Sequence, residues 1–125
     1  MTENEIATEL VDVFFQVHTH LGPGLLESVY EEAICFELEE RGLYYERQHG
    51  ISVWYKKVKL SQGFKADIIV EQKVIIEIKS VELMVPVFFK TLLTYLRLSD
   101  LKLGLLVNFN VPLIKSGITR VVNDL

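Results

Sequence analysis

Ile6, Leu10, Val13, Phe14 and Val17 recur at spacings of three and four, which places them on one stripe of a helix over about residues 3–20. Thr2 with Glu5 three positions on fits a capping box at its start. Gly22-Pro23-Gly24 interrupts the pattern, and Leu25 to Arg41 reads as a second helix closed by Gly42 in a left-handed cap. Leu26, Val29, Ala33, Phe36 and Leu43 are expected to form its buried side, with Glu31, Glu32, Glu37, Glu39 and Glu40 as a solvated face. From residue 44 the period changes to two. Tyr45 to Lys59 reads as extended, either one long bent strand or two short ones. Phe64–Val70 and Val74–Lys79 are strands separated by the polar Glu71-Gln72-Lys73. Helical spacing returns over Val85–Leu98 through Phe88, Leu92, Tyr95 and Leu96. Leu103–Asn108 is a short apolar strand, and Ile118–Asn123 is a final strand or a turn of helix. A strand, a helix and a strand over residues 74–108 predict a right-handed crossover within a mixed sheet. The class is α/β or α+β, with helices covering the sheet.

Length and composition narrow this further. A chain of 125 residues, half of them apolar, suits a single packed domain over residues 1–125 and excludes a disordered polar tail. No apolar run reaches the roughly 18 residues that cross a bilayer. The acidic start Met1-Thr2-Glu3-Asn4-Glu5 is unlike a secretory leader. The lone Cys35 makes neither an internal disulfide nor a multi-cysteine zinc site, so a reducing cytoplasm is the expected location. Residues 1–43 hold ten acids against one base, whereas residues 44–79 hold seven bases against four acids. The acidic first third argues against nucleic-acid contact there, and the remainder is only mildly basic.

The chemistry concentrates in Phe64–Val70 and Val74–Lys79. If Glu71-Gln72-Lys73 form a three-residue turn, Val70 faces Val74 and Asp67 lies opposite Glu77 on the same side of the hairpin, whereas a loop of two or four residues shifts the pairing by one. Lys79, two residues beyond Glu77, projects from that face too. The bland alternative is a cross-strand ion pair on a solvated surface. Against it, Ile69 and Ile75 are expected to share the face with the charges, while Ala66, Ile68, Val70, Val74, Ile76 and Ile78 fill the other. A strand apolar on both sides is a covered one. Two carboxylates there need a shared proton, the Lys79 ammonium or a divalent cation, and Mg²⁺ suits one or two carboxylates plus waters and phosphate oxygens. Glu27 and Tyr30, three apart near the start of the second helix, read equally as a helix-end acid and an amphipathic core residue.

Gly24-x-x-Glu27-x-x-Tyr30 followed by Asp67 and Glu77-Ile78-Lys79 resembles the GxxExxY proteins, small bacterial and archaeal members of the PD-(D/E)XK nuclease-like superfamily. The resemblance runs from about residue 5 to residue 122 and includes Leu92-Leu93-Thr94-Tyr95-Leu96 and Leu101–Phe109. It implies a restriction-endonuclease-like core and a nuclease using Mg²⁺ or Mn²⁺ on nucleic acid. Asp67 and Glu77 would ligate the metal with the Ile78 backbone carbonyl. Lys79 would orient or deprotonate the attacking water, or stabilise charge on the phosphate. Glu27 would complete the site directly or through water. The pattern departs at Phe88 and Thr91, which stand where family members carry His and Gln. The alternative is a catalytically inactive module of the same fold that binds nucleic acid or a protein partner; a purely structural dimer is a third reading.

Other residues read as structural. His18, His20 and His49 form no ligand set with Cys35, which itself reads as a small buried residue. Trp54 and Tyr55 with Lys56, Lys57 and Lys59 suit base stacking or, more commonly, a half-exposed strand face. Phe88-Phe89 marks a homodimer surface or core.

Overall fold

In the computed structural model, which describes residues 1–125, Thr2 and Glu5 exchange both hydrogen bonds of the capping box. Helix α1 (Glu3–Leu21) starts there and ends at Gly22. Helix α2 (Glu27–Glu40) follows, and Gly42 just beyond it adopts the expected left-handed conformation (φ 69). The extended region after it divides into β1 (Tyr45–Ile51) and a two-stranded hairpin of β2 (Trp54–Tyr55) and β3 (Val58–Lys59). Then come β4 (Phe64–Val70), β5 (Val74–Lys79), helix α3 (Pro86–Ser99) and β6 (Leu103–Asn108). A 3₁₀ turn at Ile114–Gly117 leads into β7 (Ile118–Val122), which resolves the last element as a strand.

The main sheet has the order β1-β4-β5-β6-β7. Only β5 and β6, joined through α3, run parallel; the other neighbours are antiparallel. This is a mixed sheet with helices on both faces, the restriction-endonuclease-like α/β architecture. Helices α1 and α2 cover one face over a core of 21 buried residues that includes Phe14, Tyr30, Ile68, Ile76, Ile78 and Phe109. Helix α3 alone covers the other, over six: Ala66, Ile69, Ile75, Leu92, Leu96 and Leu106. The thinner layer leaves room for a cleft beside α3. That helix lies close on β6 because Gly104 has no side chain; a Cβ there would come 2.8 Å from Leu92. No helix is long and apolar enough to cross a membrane.

Two expectations are corrected. The inner face of α2 is Tyr30, Glu31, Ile34, Cys35 and Leu38, not the stripe through Leu26, Val29 and Phe36, which are exposed. Ala33 is only partly buried, and Leu43 is buried beyond the helix. The true stripe was hidden because Glu31, an acid, lies at its centre and is satisfied there by Arg47 and Gln48. Ala66 packs with Ile69 and Ile75 under α3 rather than with Ile68. The alternation breaks where β1 and β4 skip the pairing of Gln48 with Asp67, with Gln48 in a left-handed conformation (φ 51) and the register the same on either side.

Candidate active site

Three residues, Glu71-Gln72-Lys73, close the β4–β5 turn, with Glu71 and Gln72 both left-handed and the Lys73 N–H donating to the Val70 carbonyl at 3.0 Å. Val70 therefore faces Val74, Ile69 faces Ile75 and Ile68 faces Ile76. The next pair in this register is Asp67 and Glu77, and there the backbone ladder stops. Asp67 Oδ2 instead accepts the Ile78 N–H at 2.9 Å, and Glu77 Oε1 accepts the Asp67 N–H at 3.4 Å. Side-chain carboxylates thus take over the backbone donors where the strands part. The cost is electrostatic. Burial first, then the adjacent Asp67 charge, push the Glu77 carboxyl up to about 8.

Lys79 offsets this only in part: its charge pulls the Glu77 carboxyl down but is outweighed by burial and Asp67, and no ion pair joins it to either carboxylate. Its Nζ sits over the Phe88 ring, 4.4 Å from the centroid. Glu77 and Lys79 open into a cleft of about 240 Å³ walled by α3 through Phe88, Thr91, Leu92 and Tyr95. Burial, then the Glu77 and Asp67 charges, raise the Tyr95 phenol above its ordinary range, so it lines the cleft as a neutral hydroxyl. Phe88 and Thr91 both reach this cleft, so the positions at which the family pattern departs form its wall.

The rim is fixed by groups on the α2 side. Glu27 does not meet Asp67 or Glu77 by hydrogen bond; its Oε2 accepts the Ser80 N–H at 3.0 Å and so holds the chain just after Lys79. Ser80 Oγ donates to the Leu25 carbonyl at 2.6 Å. Tyr30, buried and stacked on Phe109 at 4.3 Å, donates its hydroxyl to the Gly22 carbonyl at 2.6 Å and accepts the Leu25 N–H at 3.1 Å. The Gly-Pro-Gly loop is tied to the site in this way, and Gly24 supplies the φ of 94 that the path requires. Tyr30→Phe is expected to cost about 1–2 kcal/mol of stability, read by thermal or urea unfolding, because two backbone groups lose their partner. Asn108 pins the far side: its Oδ1 accepts from Val81 and Asn110, and its Nδ2 donates to the Val81 carbonyl.

Sequence reasoning missed Glu31 and Gln48. Buried Glu31 accepts from Arg47 Nε and from Gln48 Nε2, each at 2.7 Å, and the same Gln48 nitrogen lies 3.5 Å from Asp67 Oδ1. Gln48 is the one non-glycine strand residue of β1 held at positive φ, and it occupies the skipped pairing position opposite Asp67. The only available signal was a polar residue facing a strand acid, which hairpin pairing alone does not single out. The remaining candidates are structural. His18 donates to the Val111 carbonyl at 2.9 Å, His20 to Gln16 at 2.8 Å, and His49 contacts Glu46. Cys35 is buried, and desolvation raises its thiol to about 11, which keeps it protonated and unreactive.

No group of three or more His, Cys, Asp or Glu side chains is placed to hold a metal ion; Asp67 and Glu77 are the two carboxylates that the strand split brings together. Two carboxylates at a strand split, with a lysine two residues along β5 lining the same cleft as Glu77 on a helix-flanked mixed sheet, define the class of restriction-endonuclease-like proteins. A family model described as PD-(D/E)XK nuclease superfamily matches residues 4–121. The chain belongs to that superfamily. No curated protein matches it, and no solved structure does.

Proposed function

We propose that the chain is a divalent-cation-dependent phosphodiesterase of the GxxExxY type that hydrolyses nucleic acid. The observation that carries this reading is the half-buried carboxylate pair, which no ion pair neutralises. Glu77 is held beside Asp67 with its carboxyl pushed up to about 8, while the nearest lysine rests on an aromatic ring instead. Such an arrangement destabilises the fold, and a cation reverses the penalty. The donor chemistry fits Mg²⁺ or Mn²⁺, which bind one or two carboxylates and leave positions for waters and phosphate oxygens.

Asp67 Oδ1, Glu77 and the Ile78 carbonyl would hold the ion, since Asp67 Oδ2 is committed to the Ile78 N–H. The bound ion supplies Lewis-acid polarisation of the phosphoryl oxygen and a lowered water pKa. Lys79 lines the same cleft and would orient the water or the phosphate. Attack by that water forms a new P–O bond as the ester P–O bond breaks, and the departing oxygen takes up a proton. Glu27, through Ser80, keeps the strand end carrying Lys79 in place. A rival module that keeps the fold without cleaving is favoured by the Phe88 ring that engages Lys79.

A screen of single- and double-stranded DNA and RNA with Mg²⁺ and Mn²⁺, run beside Lys79→Ala, separates the two. Metal-dependent cleavage lost in the variant is expected; its absence on all substrates would support the rival. Gln48 gives a second test, because it positions Asp67. Gln48→Gly relieves the left-handed strain but takes a donor from buried Glu31, so the two effects oppose and the melting temperature is expected to move by only a few degrees. It should nonetheless weaken metal affinity by about 10- to 100-fold, as loss of an outer hydrogen bond to a ligand does.

A further inference from the structure

The β2–β3 hairpin is not explained by the carboxylate site. Between Arg47 and Ala66 the chain carries four lysines and no acid, within a protein of net charge −4. Lys56, Lys57, Lys59 and Lys65 are exposed and none forms an ion pair. Trp54 is 59 % exposed and Tyr55 63 %, and no aromatic ring stacks on either. Trp54 lies directly opposite Lys59, and Tyr55 opposite Val58, so each face of this short ribbon presents an aromatic ring. Lys56, at the turn, holds φ 56, a conformation in which Gly or Asn is the usual choice. A lysine placed there accepts strain and puts positive charge at the tip.

The ribbon also leads to the cleft. Lys59, Phe64 and Lys65 line a cavity of about 530 Å³ at its base, and Phe64 stacks on Tyr95 with centroids 4.1 Å apart. Tyr95 in turn lines the cleft with Glu77 and Lys79. Asp67 is three residues along β4 from Phe64, about 10 Å of extended chain.

We propose that the Trp54–Lys59 hairpin grips a single strand of nucleic acid, with bases stacked on Trp54 and Tyr55 and phosphates on Lys56, Lys57 and Lys59, and feeds it past Phe64 and Tyr95 to the carboxylate site. The inference rests on the phosphodiesterase reading for its destination but concerns binding alone. Exposed rings can stack only on bases whose faces are free, which a duplex does not offer, and interleaved lysines follow the backbone. An acidic protein would use the lysines but leave the rings without a comparable partner; an anionic membrane would take both, but has no reason to lie next to the carboxylate cleft.

Trp54 is the sole tryptophan, so its fluorescence reports the contact directly. Asp67→Asn protein in EDTA is titrated with oligo-dT, oligo-U, a DNA duplex of equal length and vesicles containing phosphatidylserine. One or both single strands should quench Trp54, whereas duplex and vesicles leave it unchanged. By anisotropy of a labelled strand, Trp54→Ala is expected to weaken binding by about 5- to 150-fold, the range for losing a base stack. Lys56→Gly, which removes the strain along with the charge, should leave the melting temperature unchanged or higher and flatten the slope of log K against log salt by about 0.7. Unmoved fluorescence, undiminished binding by Trp54→Ala, or equal affinity for duplex or vesicles would overturn the proposal. Cleavage by unmodified protein that ignores Trp54→Ala would overturn this grip and leave the phosphodiesterase reading standing. Strand binding as expected without any metal-dependent cleavage would do the reverse.

Discussion

Lys79→Ala is expected to lower the rate of metal-dependent cleavage by about two to four orders of magnitude, the range for removing a positioned proton-transfer group or charge stabiliser. The loss should fall on kcat rather than on folding. Lys79 makes no ion pair, and its contact with the Phe88 ring is worth only about 1 kcal/mol. Asp67 requires a more careful choice of variant. Its Oδ2 is the acceptor for the Ile78 N–H, so Asp67→Ala leaves a backbone donor unpaired at the strand split and costs about 1–3 kcal/mol. Asp67→Asn keeps an acceptor there and removes only the charge. Equal loss of cleavage in Asp67→Asn and Lys79→Ala, with melting temperatures within a few degrees of the unmodified protein, is the expected pattern. Full activity in either variant would exclude these residues from catalysis.

Glu77→Gln should act in two opposite directions at once. In the metal-free protein the Glu77 carboxyl is pushed from an ordinary 4.5 to about 8 by burial and by Asp67. The folded state then binds more protons than the unfolded state between those two values, so stability is highest below about pH 4.5 as far as this group is concerned and declines as pH rises through about 8. Glutamine removes that dependence. At pH 8 and above, in EDTA, the variant should be more stable by on the order of 2 kcal/mol, less than the full shift would give because the site relaxes when charged. Cleavage should be lost in the same variant. Urea unfolding at pH 5 and pH 8.5 checks the sign: the advantage of Glu77→Gln must grow with pH. An advantage that shrinks as pH rises would mean that the carboxylate is already compensated by the fold.

The parts of the molecule that depend on local chain geometry were legible beforehand. The capping box at Thr2 and Glu5 and the left-handed Gly42 each have a local sequence signature, and the polar break between two apolar strands marked the turn whose length of three brings Asp67 to Glu77. The crossover from β5 through α3 to β6 followed from a change of period. What was not legible depends on partners distant in the chain. Glu31 reads as solvent-facing until Arg47 and Gln48 are placed beside it, and with it the whole inner face of α2 is misassigned. Gln48 in a left-handed conformation has no local signature, and neither has the break in alternation that places Ala66 under α3. The division of residues 45–59 into a strand and a separate ribbon was equally hidden. Neither β2 nor β3 exceeds two residues, too short for a period to be read.

Titration of the protein with Mn²⁺, followed by electron paramagnetic resonance of the free ion, addresses the carboxylate pair without any assumption about substrate. Unmodified protein at pH 8 should remove a single Mn²⁺ per chain from the free signal, less effectively as pH falls and the pair takes up its proton, and Asp67→Asn and Glu77→Gln should each abolish the uptake. Uptake that persists in both variants, or no uptake by the unmodified protein at pH 8, would contradict the assignment of Asp67 and Glu77 as the cation site.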